Sequence, residues 1–131
     1  MTILIAEDDD GHAYLLRKRL EAGGLAGPII RFSNGAEAWA FLSGETSPGL
    51  IPGEAYILAL DIGMPEMDGI EVLKRVKAHP RLKGLPVIML TTSDAPEDKR
   101  RCLELGCSDY LTKPEGFDKI VDLIKEIAVN E

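Results

Sequence analysis

Five short apolar runs, separated by stretches with helical spacing, constrain this chain more than any other feature. They are Ile3-Leu4-Ile5-Ala6, Pro28-Ile29-Ile30-Arg31-Phe32, Ala55-Tyr56-Ile57-Leu58-Ala59-Leu60, Pro86-Val87-Ile88-Met89-Leu90 and Asp109-Tyr110-Leu111. A half-solvated strand alternates polar and apolar residues, whereas a strand covered on both faces need not. These runs carry little alternation, so each reads as a strand buried between helices. Strands that alternate with helices build βα units around a parallel sheet. The expected fold is α/β, a doubly wound parallel sheet of five strands flanked by five helices. With 131 residues the chain has the length of one domain, and residues 1–131 read as a single unit.

The helical stretches carry their own punctuation. Asn34 precedes Glu37, Asp68 precedes Glu71 and Asp94 precedes Glu97, each at the spacing of a capping box. Gly23, Gly44 and Gly106 stand where left-handed residues would close helices. Phe117, Ile120, Val121, Ile124, Ile127 and Ala128 form an apolar stripe at three- and four-residue spacing, and Ala13, Leu16 and Leu20 suggest another in the first helix. Between Glu45 and Glu54, Pro48, Gly49, Pro52 and Gly53 interrupt any regular pattern and predict a long surface loop.

Charge and composition narrow the function. A net charge of −7 argues against unaided nucleic-acid binding, which needs a basic face to displace counterions. No apolar run approaches the ~20 residues of a membrane span. Met1-Thr2-Ile3 leads into the first strand without the pattern of a signal peptide, so the chain reads as cytoplasmic. Cys102 and Cys107 lack metal-ligand partners nearby and read as buried, reduced thiols.

In an open parallel sheet, ligands bind beyond the carboxyl ends of the strands. Glu7-Asp8-Asp9-Asp10 follows the first run, Asp61 the third, Thr91-Thr92-Ser93 the fourth, and Lys113-Pro114 the fifth. Clustered carboxylates repel unless a hard cation neutralises them, and Mg²⁺ suits one or two carboxylates together with phosphate oxygens. A carboxylate can itself accept a phosphoryl group. The charge that develops on the phosphoryl oxygens then needs counter-charge and donors, which Lys113 and Thr91 supply. Taken singly, each feature has a plainer reading: the acid run as a solvated helix start favoured by the dipole, Asp61 as a turn residue. Only their joint placement after four of the five runs points to phosphoryl transfer.

At these residues the chain resembles the response-regulator receiver family. The matching segments are Glu7-Asp8, Asp61-Ile62-Gly63-Met64-Pro65-Glu66-Met67-Asp68-Gly69, Thr91-Thr92-Ser93 and Tyr110-Leu111-Thr112-Lys113-Pro114. The resemblance implies a flavodoxin-like strand order of 2-1-3-4-5. It implies Asp61 as phosphoacceptor, with Mg²⁺ held by Asp8, Asp61 and the backbone carbonyl of Gly63, and by Glu7 through water. Lys113 and Thr91 would contact the phosphoryl group, Asp9 and Asp10 would cap the first helix, and the bond before Pro114 would be cis. Thr91 and Tyr110 would form a switch pair: as the hydroxyl turns to the phosphoryl oxygens, Tyr110 moves into the space it leaves.

The implied partners are a sensor histidine kinase as donor and a downstream protein or phosphotransfer partner. The Glu45 to Glu54 loop and the Leu85 to Ser93 phrase resemble small regulators paired with phytochrome-type kinases. Those regulators often pair, which implies a homodimer through the C-terminal face, where Leu123 and Val129 lie off the main stripe. No output domain follows Glu131, so output is expected through protein contact or onward relay. One departure stands out: position 63 is glycine where many relatives carry a side chain beside the phosphoryl group, which puts the phosphoryl lifetime in question. Two other readings stand beside this one. A Mg²⁺-dependent aspartyl-phosphate phosphohydrolase usually has a second acid where Gly63 stands and a substrate-covering cap. A pseudo-receiver acting only as a binding module would be expected to lack the acceptor or the lysine.

Overall fold

Each apolar run forms a strand, within a residue or so of its expected limits. The computed structural model describes residues 1–25, 27–46 and 49–129. In chain order the elements are β1 (Thr2–Ala6), α1 (Asp10–Ala22), β2 (Ile29–Phe32), α2 (Gly35–Ser43), β3 (Tyr56–Leu60), α3 (Gly69–Ala78), β4 (Val87–Thr91), α4 (Pro96–Leu105), β5 (Asp109–Thr112) and α5 (Gly116–Val129). All pairings are parallel, and the strand order is β2-β1-β3-β4-β5. Ala6 lies opposite both Phe32 and Leu60, and Thr91 lies opposite Thr112, so the carboxyl ends are level along one edge.

Alternate residues of each strand serve opposite faces. Leu4, Ala6, Leu58, Leu60, Val87 and Met89 pack with Phe41, Val72, Leu73 and Val76 of α2 and α3. Ile3, Ile5, Ile57, Ala59, Ile88 and Leu90 pack with Leu16 and Leu20 of α1 and Phe117, Ile120 and Ile124 of α5. Strands covered on both sides explain the missing polar alternation. Each fully buried Leu or Ile contributes roughly 1.5–3 kcal/mol relative to exposure.

The caps behave unequally. Asn34 Oδ1 accepts from the Glu37 amide (2.8 Å) and Asp68 Oδ1 from the Glu71 amide (2.9 Å), as expected. Asp9 caps α1 by accepting from the His12 amide at 2.9 Å, while Asp10 is the first helical residue and pairs with Arg31 instead of capping. Asp94 does not cap α4. The cap is Ala95, without a side-chain bond, because Pro96 takes the first helical position and keeps the preceding residue extended. Gly44 and Gly106 are left-handed closures (φ 86° and 107°), but Gly23 is right-handed and Gly24 (φ 75°) takes the left-handed turn.

In α5, Ala128 is exposed rather than part of the buried stripe, and Val121 and Ile127 are half-buried. Of the two residues set off that stripe, Leu123 packs partly against the core, whereas Val129 is exposed. Cys102 and Cys107 are free and buried, and burial pushes both thiols up to about 11. In the Glu45 to Glu54 stretch, Ser47 and Pro48 lie outside the described residues, and the others form neither helix nor strand. Among the described residues no helix is long and apolar enough to cross a membrane.

Candidate acid pocket and acceptor site

The strand ladders run on past the strand ends and hold the functional residues by their backbones. The Glu7 amide donates to Phe32 O (3.0 Å), the Asp61 amide to Ala6 O (3.1 Å), and the Lys113 amide to Thr91 O (2.8 Å). Glu7, Asp8 and Asp61 each bring one carboxylate oxygen to within 4.8 Å of the others. Lys113 Nζ donates to Glu7 Oε1, to Asp61 Oδ2 at 3.1 Å, and reaches His12 Nδ1 at 3.0 Å. Only 4% of the lysine side chain and 9% of that of Asp61 meet solvent, so the pairing is desolvated. The Lys113–Pro114 bond is cis.

Burial acts most strongly on Glu7. Desolvation raises its carboxyl to about 7, the hydrogen bond from Lys113 opposes the rise, and the charge on Asp61 adds to it. Arg31 braces the same turn: its guanidinium forks onto the Glu7 carbonyl (2.8 and 3.1 Å) and reaches Asp10 at 2.7 Å. Asp61 Oδ1 is, among the described residues, the one buried side-chain oxygen without a hydrogen-bond partner. A buried bare acceptor costs free energy, and a cation held among three carboxylates satisfies it. The donor set is all oxygen, which suits Mg²⁺ or Mn²⁺.

The Asp68-Gly69 pair has a steric basis. A Cβ on Gly69 would lie 1.9 Å from the Asp61 carbonyl oxygen, and the Gly69 amide donates to Ile62 O at 2.8 Å. The first residue of α3 therefore backs onto Asp61 itself, and only glycine permits the approach. Gly63 is the opposite case: it is exposed, and a Cβ there meets nothing within 4 Å.

Thr91 is buried at the end of β4, and its hydroxyl oxygen accepts from the Ser93 amide at 3.3 Å. Tyr110 is also buried, with its hydroxyl donating to Ser93 O at 2.9 Å. The pair expected from the sequence therefore meets at Ser93, Thr91 at its amide and Tyr110 at its carbonyl. Ser93 Oγ donates to Asp98 at 2.6 Å, tying this turn to α4. Sequence reasoning missed His12, Arg31 and Asp98. The short polar step from Asp9 to His12 puts His12 on the first turn of α1, but no local signal marks a lysine 101 positions away.

A parallel sheet whose carboxyl edge gathers three acids, a lysine and a buried hydroxyl is the architecture of a phosphoryl-accepting switch. The chain belongs to the response regulator receiver domain family, whose profile matches residues 3–125. It is similar to the response regulator receiver domain from Rhodospirillum rubrum, with 36% identity and a TM-score of 0.86 over 100% of this chain and 95% of that one. The response regulator Rcp1 of Synechocystis sp. is 33% identical over 95% of this chain and 84% of its own length. The Mn²⁺-bound structure of Rcp1 aligns with a TM-score of 0.82 over 95% of this chain and 91% of that one. The bacteriophytochrome response regulator AtBRR is 32% identical with a TM-score of 0.79, covering 98% and 92%. Phosphorylation on an aspartate and Mg²⁺ binding are typical of this family.

Proposed function

We propose that Asp61 is the phosphoacceptor of a response regulator that receives its phosphoryl group from a histidine kinase. The observation that carries this is Asp61 itself, buried, with one oxygen on Lys113 and the other bare beside Glu7 and Asp8. An Asp61 carboxylate oxygen attacks phosphorus of the kinase's phosphohistidine. The O–P bond forms as the N–P bond breaks, and the electron pair leaves on the imidazole nitrogen. Lys113 turns a hydrogen onto the phosphoryl oxygens, and the Thr91 hydroxyl supplies a second donor. Asp8, Asp61 and the Gly63 carbonyl, with Glu7 through water, would hold Mg²⁺, which supplies neutralising charge at the phosphoryl oxygens.

Water attack on the same phosphorus returns Asp61 to the carboxylate, so the domain carries its own off-reaction. Similarity to the bacteriophytochrome response regulator AtBRR supports a phytochrome-type kinase as the donor. Intact mass after treatment with acetyl phosphate tests the acceptor: one phosphoryl group is expected with Mg²⁺, and none after chelation or in Asp61→Asn. Label that persists unchanged in Asp61→Asn sinks the assignment.

A further inference from the structure

Lysine is a flexible four-carbon stem ending in a point charge, so its acceptors decide where that charge sits. An ammonium has three hydrogens and no acceptor capacity. In this pocket all three find partners: Glu7 Oε1, Asp61 Oδ2 at 3.1 Å and His12 Nδ1 at 3.0 Å. Two of these acceptors are the carboxylates of the acid pocket. The third is a ring nitrogen from α1, which must carry a lone pair to accept from the ammonium.

We propose that His12 is a positioning residue for Lys113, anchoring the ammonium through Nδ1 while the other two hydrogens face Glu7 and Asp61 and the phosphoryl group that Asp61 would carry. The inference rests on the reading of Asp61 as phosphoacceptor.

The imidazole is itself held in place. Its edge meets the ring of Phe117 at 6.0 Å between centroids and 62° between planes, and Phe117 is buried. The same ring lies 5.9 Å from Lys113 Nζ, so lysine and histidine share one aromatic floor. The His12 backbone is fixed as well, its amide donating to Asp9 Oδ1 at 2.9 Å, and the Asp9 amide in turn donates to Glu7 Oε2 at 3.2 Å. The anchor is thereby tied to the turn that carries the acids.

A neutral acceptor does what a third carboxylate would not. Phosphorylation turns one Asp61 oxygen into the bridging oxygen of an acyl phosphate and redistributes the negative charge that competes for Lys113. The pull of Nδ1 does not depend on that charge. A neutral nitrogen also leaves the ammonium's charge uncancelled and free to act on the phosphoryl oxygens. His12 stands outside the carboxylate set, so its loss leaves the metal ligands in place.

The test compares wild type, His12→Leu and His12→Asn, since the Asn amide oxygen can replace Nδ1 as acceptor whereas Leu cannot. Phosphoryl uptake from acetyl phosphate with Mg²⁺ is followed by intact mass, and thermal midpoints confirm that all three fold. His12→Leu is expected to slow uptake about tenfold, with His12→Asn within about threefold of wild type. Equal rates in all three proteins overturn the proposal. So does His12→Asn as slow as His12→Leu, which assigns the loss to ring packing on Phe117. A second readout is independent of phosphorylation: the ¹⁵N signal of Lys113 Nζ, identified by its loss in Lys113→Arg. That signal is expected to shift in His12→Leu and to stay near its wild-type position in His12→Asn. A signal unmoved in His12→Leu overturns the anchor even if Asp61 proves not to be the acceptor.

Discussion

Asp61 and Gly63 stand two residues apart and solve opposite problems. Asp61 is walled in, with the α3 backbone against its carbonyl through Gly69, while Gly63 faces open space with its backbone outside the left-handed region. Water that hydrolyses the aspartyl phosphate must approach phosphorus roughly in line with the bond to Asp61. A side chain at 63 would flank that approach, and its Cβ clashes with nothing. Gly63→Met is therefore expected to slow dephosphorylation several-fold, about 1 kcal/mol in the barrier, with Mg²⁺ affinity little changed because in the proposed site residue 63 would offer the metal only its carbonyl. Decay of the phosphorylated protein in the two forms is the measurement, and equal or faster decay in Gly63→Met removes water access as the limiting factor. At this scale Glu7, Asp8, Asp61 and Lys113 could be picked out as candidates because each lies just beyond a strand, and Thr91 because it ends one. His12 and Arg31 could not, because their partners are supplied by tertiary folding.

The elements show how one proline overrides a spacing rule. Asn34, Asp68 and Asp94 share a pattern in the sequence, yet only the first two bond the amide three residues on. Pro96 fixes where α4 starts, and Asp94 falls one position too early to cap it. Asp68→Ala is expected to cost about 1 kcal/mol, the usual worth of a side-chain cap, and Asp94→Ala less than about 0.5 kcal/mol. Urea unfolding midpoints of the two variants distinguish them, and equal losses would contradict the assigned cap. The apolar runs revealed all five strands, β1, β3 and β4 through burial on both faces and the partly buried edge strands β2 and β5 through their remaining apolar residues. The helix closures were legible to within a residue, Gly24 taking the turn expected of Gly23, because adjacent glycines offer the backbone the same freedom.

Across the whole molecule, the two-sided core sets an expectation for stability at high pH. Cys102 and Cys107 lie in the layer covered by α2, α3 and α4, and burial raises both thiols from 9.0 to about 11. Between those values the folded state holds protons that the unfolded chain has released, so stability falls as pH rises through that window. At pH 10 the loss is on the order of 1 kcal/mol per thiol. Urea titrations at pH 8 and pH 10 measure it, and a Cys102→Ala, Cys107→Ala double variant is expected to show a shallower decline. Strand order was out of reach of periodicity, because burial reveals that a strand is central without saying which strand lies beside it; it came from family resemblance. The same order places the first strand in the interior and the last at an edge, so Glu7 meets Lys113 across 106 positions of chain. A ribosome releases Glu7 and Asp8, then Asp61, and only afterwards their lysine. Until β5 docks beside β4, the emerging chain carries mutually repelling carboxylates with no ammonium between them. Closure of the pocket thus waits on β5, since a chain broken off before that strand lacks the ammonium that pairs with Glu7 and Asp61.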